Sequence, residues 1–509
     1  MKELIILLIV FSVQLGLCKA QKKIEPIFQY NLSNPAKSSE FKTHGEARVL
    51  DLKGKKGINP TSIHSRIELL KHNLNKDEKG SMVIWAFFLE ELNAAHQTKA
   101  MTYDNESWFV YPLISDNKEV SNSEESNFGM YFFAEWHPQF YVKMYKGKLY
   151  PTRVDPPQKA FVTSEHFSFK ANKWYQLTFT WDKKKEDLRL YANGVLIGTD
   201  DKYHNAFHID EINEKLYTGN PSICYSNIDF YNEELSGEEV AAMYKNEAPD
   251  FDQEYIDHLN HVFNGYDVKE FTWKLDNTWT EKLNLKLNEP NLLDTFYVQG
   301  YQDAPSVSKD GLLIETPNIP QQGNTIEKQV YMWPLQRFEG DIYIEYEFKP
   351  LREGGLSLLM AQSSGMNRED FMKDYPLRTN GNMGTVLAQG VRNYHWEYYR
   401  EMNDVRNDVA SGALVKNPYF YPLSYGSFKD NLENKEWHKL QFLQRGDKII
   451  GAIDGKIIVE GTDNANTNNG PVLNSGYMAI RCMIRTKILF RNLKVYNKNE
   501  AFKVVKTQD

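Results

Sequence analysis

Short runs in which apolar and polar residues alternate, set between polar turns, recur along most of this chain. In the first half they fall at Ile24–Tyr30, Met82–Leu89, Trp108–Ile114, Gly129–Glu135, Phe140–Tyr145, Trp174–Trp181, Leu188–Tyr191 and Ile223–Tyr231. A period of two makes strands, and many short strands with few helical stretches predict a β-sandwich. Asn193-Gly194, between L-R-L-Y-A and V-L-I-G, is a hairpin signal, because both residues accept the positive φ of a tight primed turn. The region closes on Leu235-Ser236-Gly237-Glu238-Glu239, a capping box that starts a short helix, Val240–Tyr244.

The same grammar returns further on. Leu312–Glu315, Gln329–Trp333, Gly340–Lys349, Gly355–Ala361, Val391–Arg400, His438–Arg445, Lys448–Ile453, Lys456–Glu460, Gly476–Arg485 and Lys487–Tyr496 read as strands. Between the two sets, Phe251, Tyr255, Ile256, Leu259, Val262 and Phe263 share one face of a helix that Asn264-Gly265 ends. That helix is expected to pack between two sandwiches. Glu436-Trp437-His438-Lys439-Leu440 with Asp454-Gly455-Lys456 echoes W-Y-Q-L and Y-A-N-G of the first half, a weak repeat of fold and not of residues. The expected organisation is all-β: residues 1–20 a leader, 21–248 a first sandwich, 249–275 a helical linker and 276–509 a second sandwich.

At 509 residues the chain is too long for one core, which agrees with two units. Aromatics reach 13%, a richness that favours strands and contact with sugars. A net charge of −8 argues against nucleic acid as the partner and leaves room for a local basic pocket. Met1-Lys2, the apolar run Leu4–Val13 and Cys18-Lys19-Ala20 have the order of a secretory signal cleaved after Ala20, and the run is too short to span a membrane. A periplasmic or secreted protein follows as the expectation. Cys224 and Cys482 then remain, too few for a disulfide framework or a cysteine metal site. His258 and His261 lack a third ligand, and no H-x-H or H-E-x-x-H pair occurs, so no metal site is expected. Trp136, His137, Tyr203 and His204 read as loop residues on a sandwich rim. His166 and His208 read as surface or hydrogen-bonded histidines.

Val391–Arg406, V-R-N-Y-H-W-E-Y-Y-R-E-M-N-D-V-R, departs from this grammar. As a strand it sets Arg392, Tyr394, Trp396, Tyr398 and Arg400 on one face and Asn393, His395, Glu397 and Tyr399 on the other. Neither set resembles a sandwich interior of Val, Ile, Leu and Phe, so the strand is expected to face a cleft. The competing reading is an edge strand with exposed aromatics and a salt-bridged rim. Aromatic rings interleaved with guanidinium groups suit a sugar bearing a carboxylate or sulfate.

K-W-Y-Q-L-T-F-T-W-D at Lys173–Asp182, L-Y-A-N-G-V-L-I-G at Leu190–Gly198 and I-D-F-Y-N-E-E-L-S-G-E-E-V at Ile228–Val240 resemble the laminin-G-like, concanavalin-like jelly-roll family. That resemblance implies the jelly-roll fold and a binding or spacing role, and it leaves a structural calcium ion open. The second half resembles the YesU-like family of bacterial jelly-roll domains, through Y-H-W-E-Y-Y-R at Tyr394–Arg400, N-D-V-R at Asn403–Arg406, K-N-P at Lys416–Pro418, E-W-H-K-L and D-G-K. The two together resemble secreted proteins of marine polysaccharide use, among them ulvan-oligosaccharide dehydratases. The fold expected is therefore two tandem concanavalin-like jelly rolls.

No E-x-D-x-x-E strand, G-x-S-x-G elbow or zinc spacing supports an ordinary hydrolase. β-Elimination on a uronic acid asks for other parts: a cation on the carboxylate, a base for the C5 proton and an acid for the departing oxygen. Arg400, Arg406 and Arg392 are the candidate clamps. His395, Tyr398 and Tyr399 are the candidate bases and acids, with one of the two tyrosines at most in a given site. Asn403 is a candidate carboxylate donor, Lys416 a sulfate contact, and Tyr394 and Trp396 sugar platforms, though packing serves Trp396 equally well. Arg481 and Arg485 read as sheet-edge charges, and Ser363–Gln389 and Met402–Tyr425 as long loops closing a pocket. The expected partner is an acidic oligosaccharide. Release of water would make a dehydratase and release of a sugar a lyase. The rivals are a non-catalytic carbohydrate-binding protein and a structural adhesin.

Overall fold

In the computed structural model, residues 24–498 are described except 34–39, 93–100, 103–108, 121–124, 134–137, 146–160, 201–210, 320–326, 353, 377, 382–389, 401–409, 419–420, 429–431, 433–434 and 466–469. The leader, Trp136, His137, Tyr203, His204 and His208 lie outside the described residues. The rest is an all-β protein of two tandem jelly-roll sandwiches, built from four sheets of eight strands with antiparallel pairing. Among the described residues no helix is long and apolar enough to cross a membrane.

In the first sandwich Lys173–Asp182 pairs with Lys79–Phe88 along its whole length, from Lys173 opposite Phe88 to Asp182 opposite Lys79. Tyr175, Leu177, Phe179 and Trp181 alternate into the core, as a strand with one face inward requires. Asn193 and Gly194 turn the hairpin at φ 52° and 83°, the primed geometry expected of Asn-Gly. Phe41–His44, Ala47–Leu52, Lys55–Pro60 and Arg66–Leu69 are strands that the alternation did not reveal. Ser236 caps helix Gly237–Glu247 by the expected box, its side chain accepting from the Glu239 N–H while the Glu239 carboxylate accepts from the Ser236 N–H.

Helix Gln253–Asn264 joins the two sandwiches. The Asp252 side chain caps its start, accepting from the Tyr255 N–H at 3.0 Å, and Gly265 ends it at φ 62°. Tyr255, Leu259, Val262 and Phe263 complete the first core, each contributing roughly 1.5–3 kcal/mol by burial. The last turn meets the second sandwich: the Ser427 hydroxyl donates to the Val262 carbonyl, and His261 Nε2 lies 3.1 Å from the Ile458 carbonyl oxygen.

The second sandwich has a back sheet in the order Pro305–Ser308, Gly311–Glu315, Lys487–Lys498, Asp341–Pro350, His438–Arg445, Lys448–Ile453 and Lys456–Thr462. Its front sheet runs Phe296–Gly300, Val330–Pro334, Ser475–Cys482, Leu356–Gly365, Val391–Arg400, Ala410–Asn417 and Tyr421–Phe428. Much of the segment expected as the loop Met402–Tyr425 is therefore sheet. Gly, Ser and Pro in A-S-G-A-L-V-K-N and Y-P-L-S-Y-G-S-F imitate a loop, yet an outer strand tolerates them.

Candidate functional site

The front sheet divides its side chains cleanly. On Val391–Arg400, Tyr394, Trp396 and Tyr398 face the interior, packed with Ile449, Leu440 and Phe348. This corrects the expectation that neither face of the strand could be core: a sandwich of this thickness fills with aromatic rings as readily as with aliphatic ones. Trp396 is fully buried there, and its role is packing. The register shifts between Ser357 and Leu358, so that Ser357 faces Tyr399 while Leu358 faces Glu397. The bulge sends Tyr398 and Tyr399 both into the core, against the strict alternation expected. The Tyr398 and Ser357 hydroxyls are 2.6 Å apart, and the Tyr399 hydroxyl donates to the Arg352 carbonyl at 3.2 Å. Burial pushes the Tyr398 hydroxyl far above its ordinary value.

Tyr394 and Lys416 also turn inward, to each other's partner. The Lys416 ammonium lies 2.7 Å from Asp463 Oδ2 and donates to the Gly470 and Pro471 carbonyls, each at 2.8 Å. The Tyr394 hydroxyl donates to Asp463 at 2.6 Å and accepts from the Leu473 N–H at 2.9 Å. Both members of the ion pair are fully buried and the ammonium's three donors are taken by Asp463, Gly470 and Pro471, so the set is a staple holding these residues and Leu473 to the sheet and not a sulfate contact. Burial lowers the Lys416 pKa, with Asp463 pulling the other way.

The opposite face carries Asn393, His395 and Glu397, all buried. His395 Nε2 lies 3.8 Å from Glu397 Oε1, and the Asn417 amide nitrogen lies 3.4 Å from His395 Nδ1 and 2.9 Å from Asn393 Oδ1. Neighbouring strands extend this face. Register pairs Glu397 with Leu358, Leu358 with Arg481, and Arg481 with Tyr331, which makes one row straight across four strands. Arg481 is fully buried on a strand in the middle of the sheet, which corrects its reading as an edge charge. Its guanidinium carbon sits 4.9 Å from the Tyr331 ring centroid, and Nη2 donates to Gln329. Burial raises the Tyr331 pKa while Arg481 pulls it down, so the phenol is protonated at neutral pH. Tyr331 and Trp333 lie parallel, centroids 5.9 Å apart, and Phe371 of the loop after Leu356–Gly365 packs edge-on against Trp333 at 5.2 Å.

Arg392 is half-buried, and its Nε donates to the Met366 carbonyl at 3.0 Å. The backbone pairs Arg400 with Leu356; its side chain, like Asn403 and Arg406 entirely, lies outside the described residues. Sequence reasoning passed over Glu397, Arg481 and Tyr331 as site residues. The alternation in S-G-Y-M-A-I-R-C held the signal, because Met478, Ile480 and Cys482 are core and Arg481 must then face away from it. Among the described residues no three His, Cys, Asp or Glu side chains gather as a metal site needs.

Residues 284–495 match the family model described as a domain of unknown function (DUF1961). The uncharacterized protein YesU of Bacillus subtilis (strain 168) is 21% identical over 174 residues, which is 33% of this chain and 78% of that protein. Among solved structures, a Bacillus subtilis protein of unknown function with a galectin-like fold is similar over 46% of this chain and 100% of its own, at 18% identity and a TM-score of 0.37. A carbohydrate binding module from Bacillus subtilis covers 39% of this chain and 93% of its own, at 11% identity and a TM-score of 0.26. A non-specific endo-β-1,3(4)-glucanase covers 46% and 95%, at 12% identity and 0.32.

Proposed function

We propose that this is a secreted or periplasmic enzyme of acidic polysaccharide breakdown, a carbon–oxygen lyase acting on a uronic acid at the end of an oligosaccharide such as an ulvan fragment. The observation that carries the reading is the row Tyr331, Arg481, Leu358, Glu397, with His395 beside Glu397. It sets a guanidinium, a protonated phenol and an imidazole–carboxylate pair on one face of one rigid sheet. From the strand of Arg481 to that of Glu397 is two strand spacings, about 10 Å, the reach of one sugar ring and its substituents.

Arg481 neutralises the uronate carboxylate, which makes the C5 proton removable. The His395–Glu397 pair takes that proton. The C5–H electrons form the C4–C5 double bond as the C4–O bond breaks, and Tyr331 protonates the departing oxygen. A terminal hydroxyl leaves as water and defines a dehydratase; a glycosidic oxygen leaves with its sugar and defines a lyase. Arg392 and Arg400, at the two ends of the same strand, remain candidate contacts to further anionic groups.

The parallel rings of Tyr331 and Trp333 favour one rival, a non-catalytic carbohydrate-binding protein, since stacked aromatics on a sheet face need no chemistry to hold a sugar. Incubation with saturated uronic-acid oligosaccharides, followed by ultraviolet absorbance and mass spectrometry, separates the readings. New absorbance with loss of one water supports the dehydratase, and with chain cleavage the lyase. Cleavage without new absorbance overturns elimination, and binding without reaction leaves the carbohydrate-binding protein.

A further inference from the structure

We propose that the back sheet of the second sandwich carries a separate, non-catalytic groove for an acidic sugar chain, built from Trp437, Arg491, Lys286, Lys309 and Lys349. These residues line a pocket of ≈ 580 Å³. That volume lies in the range of small-ligand sites and suits one or two sugar units. Lys349 and Leu489 are cross-strand partners, as are Glu347 and Arg491. Phe348, Ile488 and Phe490 between them point into the core. The groove residues therefore face away from the core on the opposite side of the sandwich from Arg481 and His395, and one ligand cannot touch both sites.

The charge here runs against that of the whole chain. The chain carries −8, yet this lining has four cations and one carboxylate, Asp310. Elsewhere on the same sheet two lysines are matched: Lys439 lies 2.8 Å from Glu345, and Lys487 lies 2.9 Å from Glu315. Among the described residues Lys286, Lys309 and Lys349 have no acidic partner within ion-pair distance. Like charges gathered in a concavity repel, and an anion placed among them relieves that repulsion.

Arg491 gives the groove its shape. Its guanidinium carbon lies 3.9 Å from the Trp437 ring centroid, and its Nε donates to Glu347. Nη1 and Nη2 have no protein acceptor among the described residues, which leaves a flat, anchored fork suited to a sulfate ester or a carboxylate. Trp437 and Leu489 supply the apolar surface that the C–H face of a sugar covers. A fork, flanking ammonium groups and one indole together describe a sugar chain with regularly spaced anions.

The test is affinity electrophoresis of the full chain through gels containing chondroitin sulfate, or hyaluronan, which bears carboxylates alone. Retardation by chondroitin sulfate is expected; retardation by hyaluronan as well assigns the carboxylate as a sufficient anion. Lys286→Glu with Lys349→Glu should weaken that affinity at least about tenfold, and Trp437→Ala, which leaves the charge unchanged, about fivefold. Lys309→Glu, on an exposed hairpin turn, provides a variant remote from packing. Turnover of a small oligosaccharide should stay at the wild-type level in all of them, whereas Arg481→Ala should lose turnover and keep its retardation. That contrast separates failure of this groove from failure of the elimination site. Wild-type mobility unaffected by either polysaccharide overturns the proposal. So does equal retardation of the folded variants, or equal binding of a single-stranded DNA oligonucleotide with no dependence on Trp437.

Discussion

Tyr425 of the second sandwich lies flat against His166 of the first, ring centroids 4.4 Å apart and 11° from parallel. Register pairs Tyr425 with Ala413, and Ala413 with Glu397, so the contact stands at the end of the row that crosses the front sheet. His166, expected as a surface or hydrogen-bonded histidine, is buried in this contact. The first sandwich thus forms a wall beside the candidate site.

Arg481→Lys keeps the charge and removes the fork. Elimination should slow by about 10²-fold, roughly 2.7 kcal/mol of transition-state stabilisation, with the unfolding midpoint little changed. Steady-state rates and a thermal melt on one preparation check this. Arg481→Lys turning over like wild type would remove Arg481 from the chemistry.

Glu397→Gln preserves shape and abolishes the carboxylate beside His395. If the pair takes the proton, kcat should drop by about 10²–10⁴-fold while oligosaccharide affinity moves little. A carbohydrate-binding protein would lose affinity alone. Titration calorimetry beside the rate assay reads both quantities.

Lys416→Met leaves Asp463 charged and buried with no ammonium. The variant should lose about 3–5 kcal/mol in urea unfolding, and Lys416→Met with Asp463→Asn should regain most of it. Had Lys416 served a sulfate, the single variant would unfold like wild type and bind sulfated sugars less well.

Asp229 supplies a pH dependence. Burial, then the charge of Glu247, pushes its carboxyl up to about 7 from an ordinary 3.8. Between those values the unfolded chain releases a proton that the folded chain keeps, so this group withdraws stability as pH rises through the window and its full cost is present above about pH 7. Asp229→Asn removes the titration. Its stability relative to wild type should rise by about 3–4 kcal/mol from pH 4 to pH 7.5, and a flat difference across that range would refute the assignment.

Much of this architecture was legible because alternation and turn residues are local. Ile223–Tyr231, Val391–Arg400, His438–Arg445 and Lys448–Ile453 have the bounds read from the sequence. Which face is inward is not local. It depends on the neighbouring strands and on the bulge at Tyr398-Tyr399, whose cause lies in the partner strand's Ser357 and Leu358. The candidate site was harder still, because Tyr331, Arg481 and Glu397 are far apart in sequence and meet only through register. Of the residues in the proposed site, His395 is the one the sequence already offered as a candidate, a polar residue that no sandwich interior would hold unaided.

The helix Gln253–Asn264 bears on where the chain can be divided. A fragment ending at residue 248 would expose the hollow that Tyr255, Leu259, Val262 and Phe263 fill, and a fragment beginning at 249 would carry those side chains with nothing to cover them. The natural place to part the two halves lies after Gly265. Even there the cut strips the Tyr421–Phe428 strand of its Ser427 and Tyr425 contacts, so the second half alone presents a raw sheet edge where the intact protein has a seam.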